Sequence, residues 1–422
     1  MKIAELPNKI AVSLLTGGSD RPYVYGLVTS LLSQGATVDL IGSDELDFPE
    51  FRGMRILTFL NLRGSTRRDV SFSAKVTRIL IYYLRLIRYA ATTRSKLFHI
   101  LWNNKWETFD RTLLMLYYRL LGKRVVFTVH NVNAAKRDRK DSFLNRLTLR
   151  IQYRLSHHLF VHTESGRQEL IEQFGLRRER VSVIPFGINN AVPHSALTTQ
   201  AAKQRIGVGA GERTLLFFGR ITPYKGLDWL IPAFRKIVIR SSNYRLVIAG
   251  GPDNCEEYWN RLRESIQEDV ASGTILLNVG YIPDDEVEIY FKAADALILP
   301  YRDIYQSGVL FLGHSFGLPV LAADVGCLKD EIVAGRNGFV FRPGDPDDLI
   351  AAVERYFAST LYRDLDRQRS EICAYATARH SWDTVAQISM TVYADLMGRA
   401  SDTPIRRNAT GTTVDAKINQ AQ

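Results

Sequence analysis

Residues 214–234 read TLLFFGRITPYKGLDWLIPAF. A run of β-forming residues ends at Gly219, and from Leu227 apolar positions recur at helical spacing, so the segment is a strand, a loop and a helix. The loop carries Arg220 and Lys225, with Gly219 before the first and Gly226 after the second. Main-chain amides at a helix start carry partial positive charge, arginine forks onto phosphate oxygens, and lysine adds a point charge. Such a loop suits a diphosphate. Two solvated surface cations are the plain alternative, and the surroundings must choose.

The same alternation extends to both sides. Downstream, YRLVIAGG, TILLNVGY, ADALILP, PVLAAD and GFVFRP are short apolar runs closed by polar or glycine-bearing turns, most of them followed by a helical segment. Upstream, KIAVSLL leads into Thr16-Gly17-Gly18 and a helix through YGLVTSLLSQG. TVDLIG, LFHILW, RVVFTVH, HLFVHT and VSVIPFG follow, with helical FDRTLLMLYYRLLG and ESGRQELIEQFG among them. Strands alternating with helices make parallel sheets covered by helices, so the fold class is α/β. Around PFGINNAVPHSALTTQAAK the pattern lapses into glycine, proline and small polar residues, the composition of an inter-domain connection. The expected organisation is two Rossmann-like domains, residues 1–185 and 201–380, joined by a linker at 186–200. A last helix in 381–398 is expected to return to the first domain, and 400–422, nearly free of large apolar side chains, to form a flexible tail. Open parallel sheets bind ligands beyond the carboxyl ends of their strands, which places the site in the cleft between the domains.

A formal net charge of +11 calls for an anionic partner: phosphate, nucleic acid or a lipid surface. Zinc-finger spacing, an RNA-recognition aromatic motif and an obvious helix-turn-helix are missing, so no nucleic acid is expected. Cys255, Cys327 and Cys373 lie far apart without metal-ligand spacing, and no acidic cluster has such spacing either. No catalytic metal or other cofactor is therefore expected. The apolar run near the N-terminus is too short for a signal peptide and no apolar run is long enough to span a bilayer, so a cytoplasmic protein is expected.

FFGRITPYKGLDWLIPAF resembles the F-x-G-R-x-x-x-x-K-G-x-x-x-L-I-x-A-F signature of the family-4, group 1 glycosyltransferases, retaining enzymes of the two-domain GT-B fold. LVIAGGP, VGYIPDDEVEIYFKAADALILPY and GLPVLAADVGCLKDEIVAGRNGFVFRPGDPDDLIAAV resemble further segments of that family in the same order, as do VVFTVHN and VSVIPFG in the first domain. The resemblance implies a hexosyltransferase-type enzyme acting on a nucleoside-diphosphate sugar and a saccharide or lipid-linked acceptor, in exopolysaccharide, lipopolysaccharide or glycolipid biosynthesis. By it, Gly219, Arg220, Lys225, Ser307, Gly308 and Val309 hold the donor diphosphate, and Gly250, Gly251, Tyr281, Ile282 and Gln306 meet the nucleotide or sugar. Arg220 and Lys225 would stabilise the leaving group, and His130 would position or polarise the sugar near its reacting carbon. Gly17 and Gly18 bring bare main chain to a ligand or simply make a tight turn; Asp20 and Arg21 lie just beyond, within reach of an acceptor.

The resemblance breaks at one place. Where the family carries two glutamates eight residues apart, this chain has Ile304 and Leu312. It has Gln306-Ser307-Gly308 instead, a form some family members share, in which a serine hydroxyl and successive amides can face a phosphate. Asp303 is a candidate to replace part of the missing carboxylate function, or an ordinary loop aspartate. An active transferase with altered donor contacts is the first reading; an inactive or accessory binder of nucleotide sugars, or a GT-B epimerase, is the alternative.

Between TVDLIG and LFHILW lies FSAKVTRILIYYLRLIRYAATTRSK. On a helix, Val76, Ile79, Leu80, Tyr83, Leu84, Leu86 and Ile87 share one side and Lys75, Arg78, Arg85 and Arg88 the other, with Ile81 breaking the pattern. A packed helix with a solvated cationic face is one account. A cationic face that meets anionic lipid, with Arg63, Arg67 and Arg68 nearby, is the other, and would make the protein peripheral on the inner face of the plasma membrane.

Overall fold

The structure, a computed structural model, describes residues 10–17, 20–65, 71–137, 140–188, 192 and 194–398. Gly18, Arg67, Arg68 and the expected tail at 400–422 lie outside the described residues. The first sheet contains β1 (Ala11–Leu15), β2 (Thr37–Gly42), β3 (Leu57–Asn61), β4 (Leu97–Ile100), β5 (Arg124–Val129), β6 (His158–Val161) and β7 (Val181–Val183), in the order β3-β2-β1-β4-β5-β6-β7. The second contains β8 (Arg213–Phe218), β9 (Tyr244–Ala249), β10 (Ile275–Asn278), β11 (Ala296–Leu299), β12 (Val320–Ala323) and β13 (Gly338–Phe341), in the order β10-β9-β8-β11-β12-β13. All strand pairs are parallel. The α/β expectation holds: helices cover both faces of each sheet, which is why the strands read as near-continuous apolar runs. The sequence pattern does not single out the edge strand β3 or the Phe143–Leu155 and Leu365–Arg379 helices.

In each sheet the chain begins centrally and winds outward both ways, so strand order reverses between β1 and β4 and between β8 and β11. Loops leaving the two strands at such a point part to opposite faces and open a crevice. The two crevices confront one another: Arg137 of the first sheet's loops lies over the Tyr224 ring of the second's, at 4.5 Å from its centroid.

The Trp382–Leu396 helix packs against the Arg21–Ser33 helix of the first domain. Trp382 seats its ring where side chains at Gly26 and Gly187 would stand, since a Cβ at either would fall 2.1 Å from the indole. Its Nε1 donates to the Ile188 carbonyl at 2.8 Å, and the ring joins the core beneath β1 and β2. Farther along the same helix, the Tyr393 hydroxyl meets His99 Nδ1 at 2.6 Å.

The Phe72–Thr92 helix corrects one reading. Leu80 and Leu84, grouped above with its packed side, are exposed together with Ile81. The inward arc is set by Tyr82 and Tyr83, whose buried hydroxyls donate to Asn104 at 2.5 Å and Asp110 at 2.9 Å. A buried phenol needs such a partner, and meeting that need turns the two leucines outward. The cationic side is also less uniform than its pattern implied: Lys75 is half-buried, and Arg78 donates to the Ser65 carbonyl at 2.8 Å. Arg85 and Arg88 are exposed.

Candidate active site

The ends of β8, β9 and β10 form the floor of the second crevice. Gly219 N–H donates to Ala249 O, Gly250 N–H to Asn278 O and Ile221 N–H to Gly251 O, at 2.8–2.9 Å. A Cβ at Gly250, which has φ +135°, would sit 2.1 Å from the Gly219 carbonyl oxygen. Only glycine lets these chains approach so closely, and the result is a patch of bare main chain.

Lys225 ends a short 3-10 turn, Pro223–Lys225, and Gly226 follows at φ +74°. A Cβ at Gly226 would fall 2.0 Å from the Pro300 carbonyl, the same oxygen that accepts from Trp229 Nε1 at 2.9 Å. Arg302 holds the loop from the other side through a two-pronged ion pair with Asp228. So anchored, Lys225 folds back into the protein. Its Nζ stands 3.2 Å from where a Gly219 Cβ would be, and Val309 Cγ2 stands 3.3 Å from that same point. Nζ also lies over the Tyr301 and Phe217 rings at 5.5 and 6.0 Å. Burial, then the charges of Arg220 and Arg137, pull its pKa down to about 7, against a smaller pull from Asp253. No carboxylate pairs with it among the described residues, so a buried ammonium is left seeking an anion.

Arg220 and Lys225 are thus not equivalent. Arg220 is exposed and pairs with Asp253 at 2.8 Å. Its charge also reaches Asp20 across the cleft. Asp20 caps the Arg21–Ser33 helix by accepting from Tyr23 N–H at 3.1 Å. Solvent reaches its side chain, yet the crowded cleft wall raises its carboxyl above the usual range, opposed by the Tyr23 amide and Arg220. Arg21 lies 5.0 Å over the Phe48 ring, and its charge acts on Tyr281, which is 84% exposed on the opposite lobe. Gly17, at φ +51°, packs so tightly on Trp102 that a Cβ would fall 2.0 Å from the Trp102 carbonyl oxygen. Its own carbonyl accepts from Arg63. Close packing, then, explains Gly17.

The Gly308–Ser315 helix starts beside Lys225. Ser307 is its N-cap: the hydroxyl is buried and accepts from Leu310 N–H at 3.4 Å, which leaves its own proton to donate. The amides of Gly308 and Val309 are the first-turn donors beyond that cap, as every helix start leaves them. Ile304 and Leu312 are core residues, 6% and 7% exposed. Asp303 is an exposed loop residue. Ile282 likewise gives its side chain to the core, which leaves only its main chain for a ligand.

His130 follows β5 and is stacked on Trp102 with centroids 4.4 Å apart, with Tyr23 edge-on at 4.9 Å. Its Nδ1 meets His162 Nε2 at 3.1 Å, and His162 Nδ1 meets the Ile184 carbonyl at 3.3 Å. A carbonyl only accepts, so His162 is protonated on Nδ1 and bare on Nε2; His130 must donate from Nδ1 and present a lone pair on Nε2. Burial holds His130 well below the ordinary histidine range and lowers His162 to about 4, so both rings are neutral. Among the described residues His130 Nε2 and Gln306 Oε1 are buried without hydrogen-bond partners, and both line one small pocket between the lobes. Two unpaired acceptors in one pocket call for hydroxyl donors. Sequence reasoning missed His162, Trp102 and Arg137, since none lies in a spacing that announces chemistry.

Two confronting switch-point crevices, one lined by a buried cation and a helix start, define the GT-B class of two-domain proteins. The profile described as Glycosyltransferase Family 4 matches residues 17–192, and the profile described as Glycosyl transferases group 1 matches 212–359. The chain belongs to the group 1, family 4 glycosyltransferases. It is 28% identical over 302 residues to the D-inositol 3-phosphate glycosyltransferase of Streptosporangium roseum, covering 67% of each chain. It is 29% identical to the mannosylfructose-phosphate synthase of Agrobacterium fabrum, over 52% of this chain and 48% of that one. Among solved structures, sucrose-phosphate synthase of Thermosynechococcus elongatus superposes with a TM-score of 0.72 at 17% identity, covering 92% of this chain and 100% of that one. Anabaena HepE in complex with UDP-glucose superposes at 0.69, also at 17% identity, with the same coverage.

Proposed function

We propose that the protein transfers a hexosyl group from a nucleoside-diphosphate sugar to a hydroxyl of a saccharide or lipid-linked acceptor, with retained anomeric configuration, in polysaccharide, lipopolysaccharide or glycolipid assembly. The observation that carries this is Lys225: a buried ammonium with no carboxylate, beside bare glycine main chain and a helix start. A diphosphate satisfies all three. As the bond from the anomeric carbon to the diphosphate oxygen breaks, negative charge grows on that oxygen, and cations already in place stabilise the transition state more than the bound substrate. The acceptor oxygen bonds the anomeric carbon while its proton passes to the departing diphosphate. Lys225, Arg220 and the Gly308 and Val309 amides supply the charge neutralisation, a reading without a catalytic metal. His130 Nε2 and Gln306 Oε1 accept from sugar hydroxyls in the pocket between the lobes. HepE, a structural neighbour solved with UDP-glucose, supports a donor of this class.

Lys225→Met tests the proposal. The isosteric side chain is expected to cost about 10²–10³ in kcat, while melting temperature stays level or rises, because an unpaired buried charge is removed. Turnover within twofold of the parent would end the assignment. The alternative, an inactive or accessory binder of nucleotide sugars or a GT-B epimerase, is favoured by the apolar burial of Ile304 and Leu312, which leaves no carboxylate at either position. Product analysis with a panel of labelled sugar nucleotides separates the cases: transfer, epimerisation, or binding alone.

A further inference from the structure

The outer face of the first domain is unusual for a soluble surface. Of the seventeen large apolar side chains exposed among the described residues, eleven lie on or beside three adjacent segments: the Phe72–Thr92 helix, the stretch through Met115–Leu120, and the Phe143–Leu155 helix. These segments pack side by side on one face of the first sheet. Tyr117 on the middle segment donates to the Ile87 carbonyl of the first at 3.1 Å. Arg111 donates to Asn145 of the third at 2.9 Å. Their inward side chains, Tyr83, Leu86, Met115, Tyr118, Leu149 and Tyr153, share one core. Leu84, Leu120 and Phe143 point away from that core, at 67%, 78% and 74% exposure. An apolar field of this extent is a docking surface rather than scattered surface hydrophobes.

Charge identifies what docks. The two outer helices together carry seven lysines and arginines and no acidic residue. The acids close to them are already engaged: Asp110 and Asp39 accept from the Tyr83 and Tyr89 hydroxyls of the first helix, Glu107 pairs with Arg111 and Asp141 with Arg146. A second copy of this chain would bring like charges face to face, whereas an anionic bilayer offers phosphates to the arginines and hydrocarbon to the leucines.

We propose that this three-segment face lies in the interface of an anionic membrane, with the apolar side chains inserted and Arg85, Arg88 and Arg154 at headgroup level. The surface differs from a purely cationic helix face, because insertion of Leu84, Leu120 and Phe143 supplies binding that salt does not screen. Trp106 and Phe143 stand just after the loops that leave β4 and β5, on the cleft side of the sheet, so a membrane-carried acceptor would meet the cleft mouth.

The test is co-sedimentation of the full chain with vesicles of phosphatidylcholine containing about a third phosphatidylglycerol. The parent should bind these well above pure phosphatidylcholine vesicles and keep a measurable part of that binding in high salt. Leu84→Ser/Leu120→Ser/Phe143→Ser should lose at least about ten-fold in partitioning, with an unchanged melting temperature, since those side chains touch no core. Arg88→Glu/Arg154→Glu should remove the preference for anionic vesicles. Equal binding by the triple variant, or no vesicle binding by the parent, overturns the proposal. Concentration-dependent dimerisation of the parent that the triple variant abolishes, without vesicle binding, assigns the face to a second copy instead. None of these readouts depends on donor binding or turnover.

Discussion

Lys225 shows how one residue acquires chemistry from its surroundings. An ordinary lysine would be fully charged at neutral pH, but burial has brought this one to about 7, so the empty site is partly neutral. A bound diphosphate raises that pKa again, and binding must therefore draw a proton from solvent at pH above 7. Calorimetry at pH 8 in buffers of different ionisation enthalpy is expected to give uptake of close to one proton per nucleoside diphosphate, falling toward zero near pH 6. Affinity should weaken by up to about ten-fold per pH unit above 7. Lys225→Met should abolish the uptake; uptake unchanged in that variant would place the titrating group elsewhere. His130 is tuned differently: its lone pair is aimed by a partner, His162, whose own proton is committed to the Ile184 carbonyl. The motif around His130 was legible in the sequence. The partner was not, because His162 lies thirty-two positions downstream and only sheet pairing of β5 with β6 brings it alongside.

At the scale of elements, the returning Trp382–Leu396 helix ties the chain's end to the first domain, so each lobe's relation to the cleft depends on it. Trp382 fills the hollow made by Gly26 and Gly187 and bonds the Ile188 carbonyl beside the inter-domain connection. Trp382→Ala is expected to destabilise the protein by about 3–5 kcal/mol, through lost burial and the cavity left behind. Gly26→Val should do comparable damage by overpacking. Thermal melts of both variants check this, and a shift below one degree in Trp382→Ala would mean the helix is a dispensable appendage. The glycines read as unremarkable helix and loop residues in the sequence. Their necessity is visible only with the indole in place. The Phe72–Thr92 helix teaches the same lesson in reverse: periodicity put Leu80 and Leu84 inside, whereas hydrogen-bonding needs of Tyr82 and Tyr83 decided which arc turned inward.

For the whole molecule, buried neutral histidines set the response to acid. In the first domain, burial lowers His99 to about 3, His158 and His162 to about 4, and His130 well below the usual range. The folded state refuses protons that the unfolded chain accepts below about pH 6.5, so the unfolded state binds more of them and stability falls as pH drops. This stability is whole above pH 6.5 and is lost progressively toward pH 4 and below, at about 1.4 kcal/mol per pH unit for each such histidine. Scanning calorimetry between pH 7.5 and 4.5 should show melting temperature dropping steeply below pH 6.5. His99→Gln, which keeps polar contacts for Tyr393 and Thr128, should flatten the slope; a melting temperature independent of pH across that range would refute the account.

The linear sequence by itself determined the α/β class, most of the strands and the strand-to-helix loop of Gly219, Arg220 and Lys225, because apolar periodicity and glycine placement are properties of neighbours along the chain. Tertiary structure alone decided that Lys225 is buried while Arg220 pairs in the open, that Ser307 caps its own helix, and that His130 faces Gln306 across the lobes. It also decided which leucines of the first domain were left outside. Each of these depends on which distant groups share a volume, and burial and pairing energies arise only once the sheets have formed and the two crevices face each other.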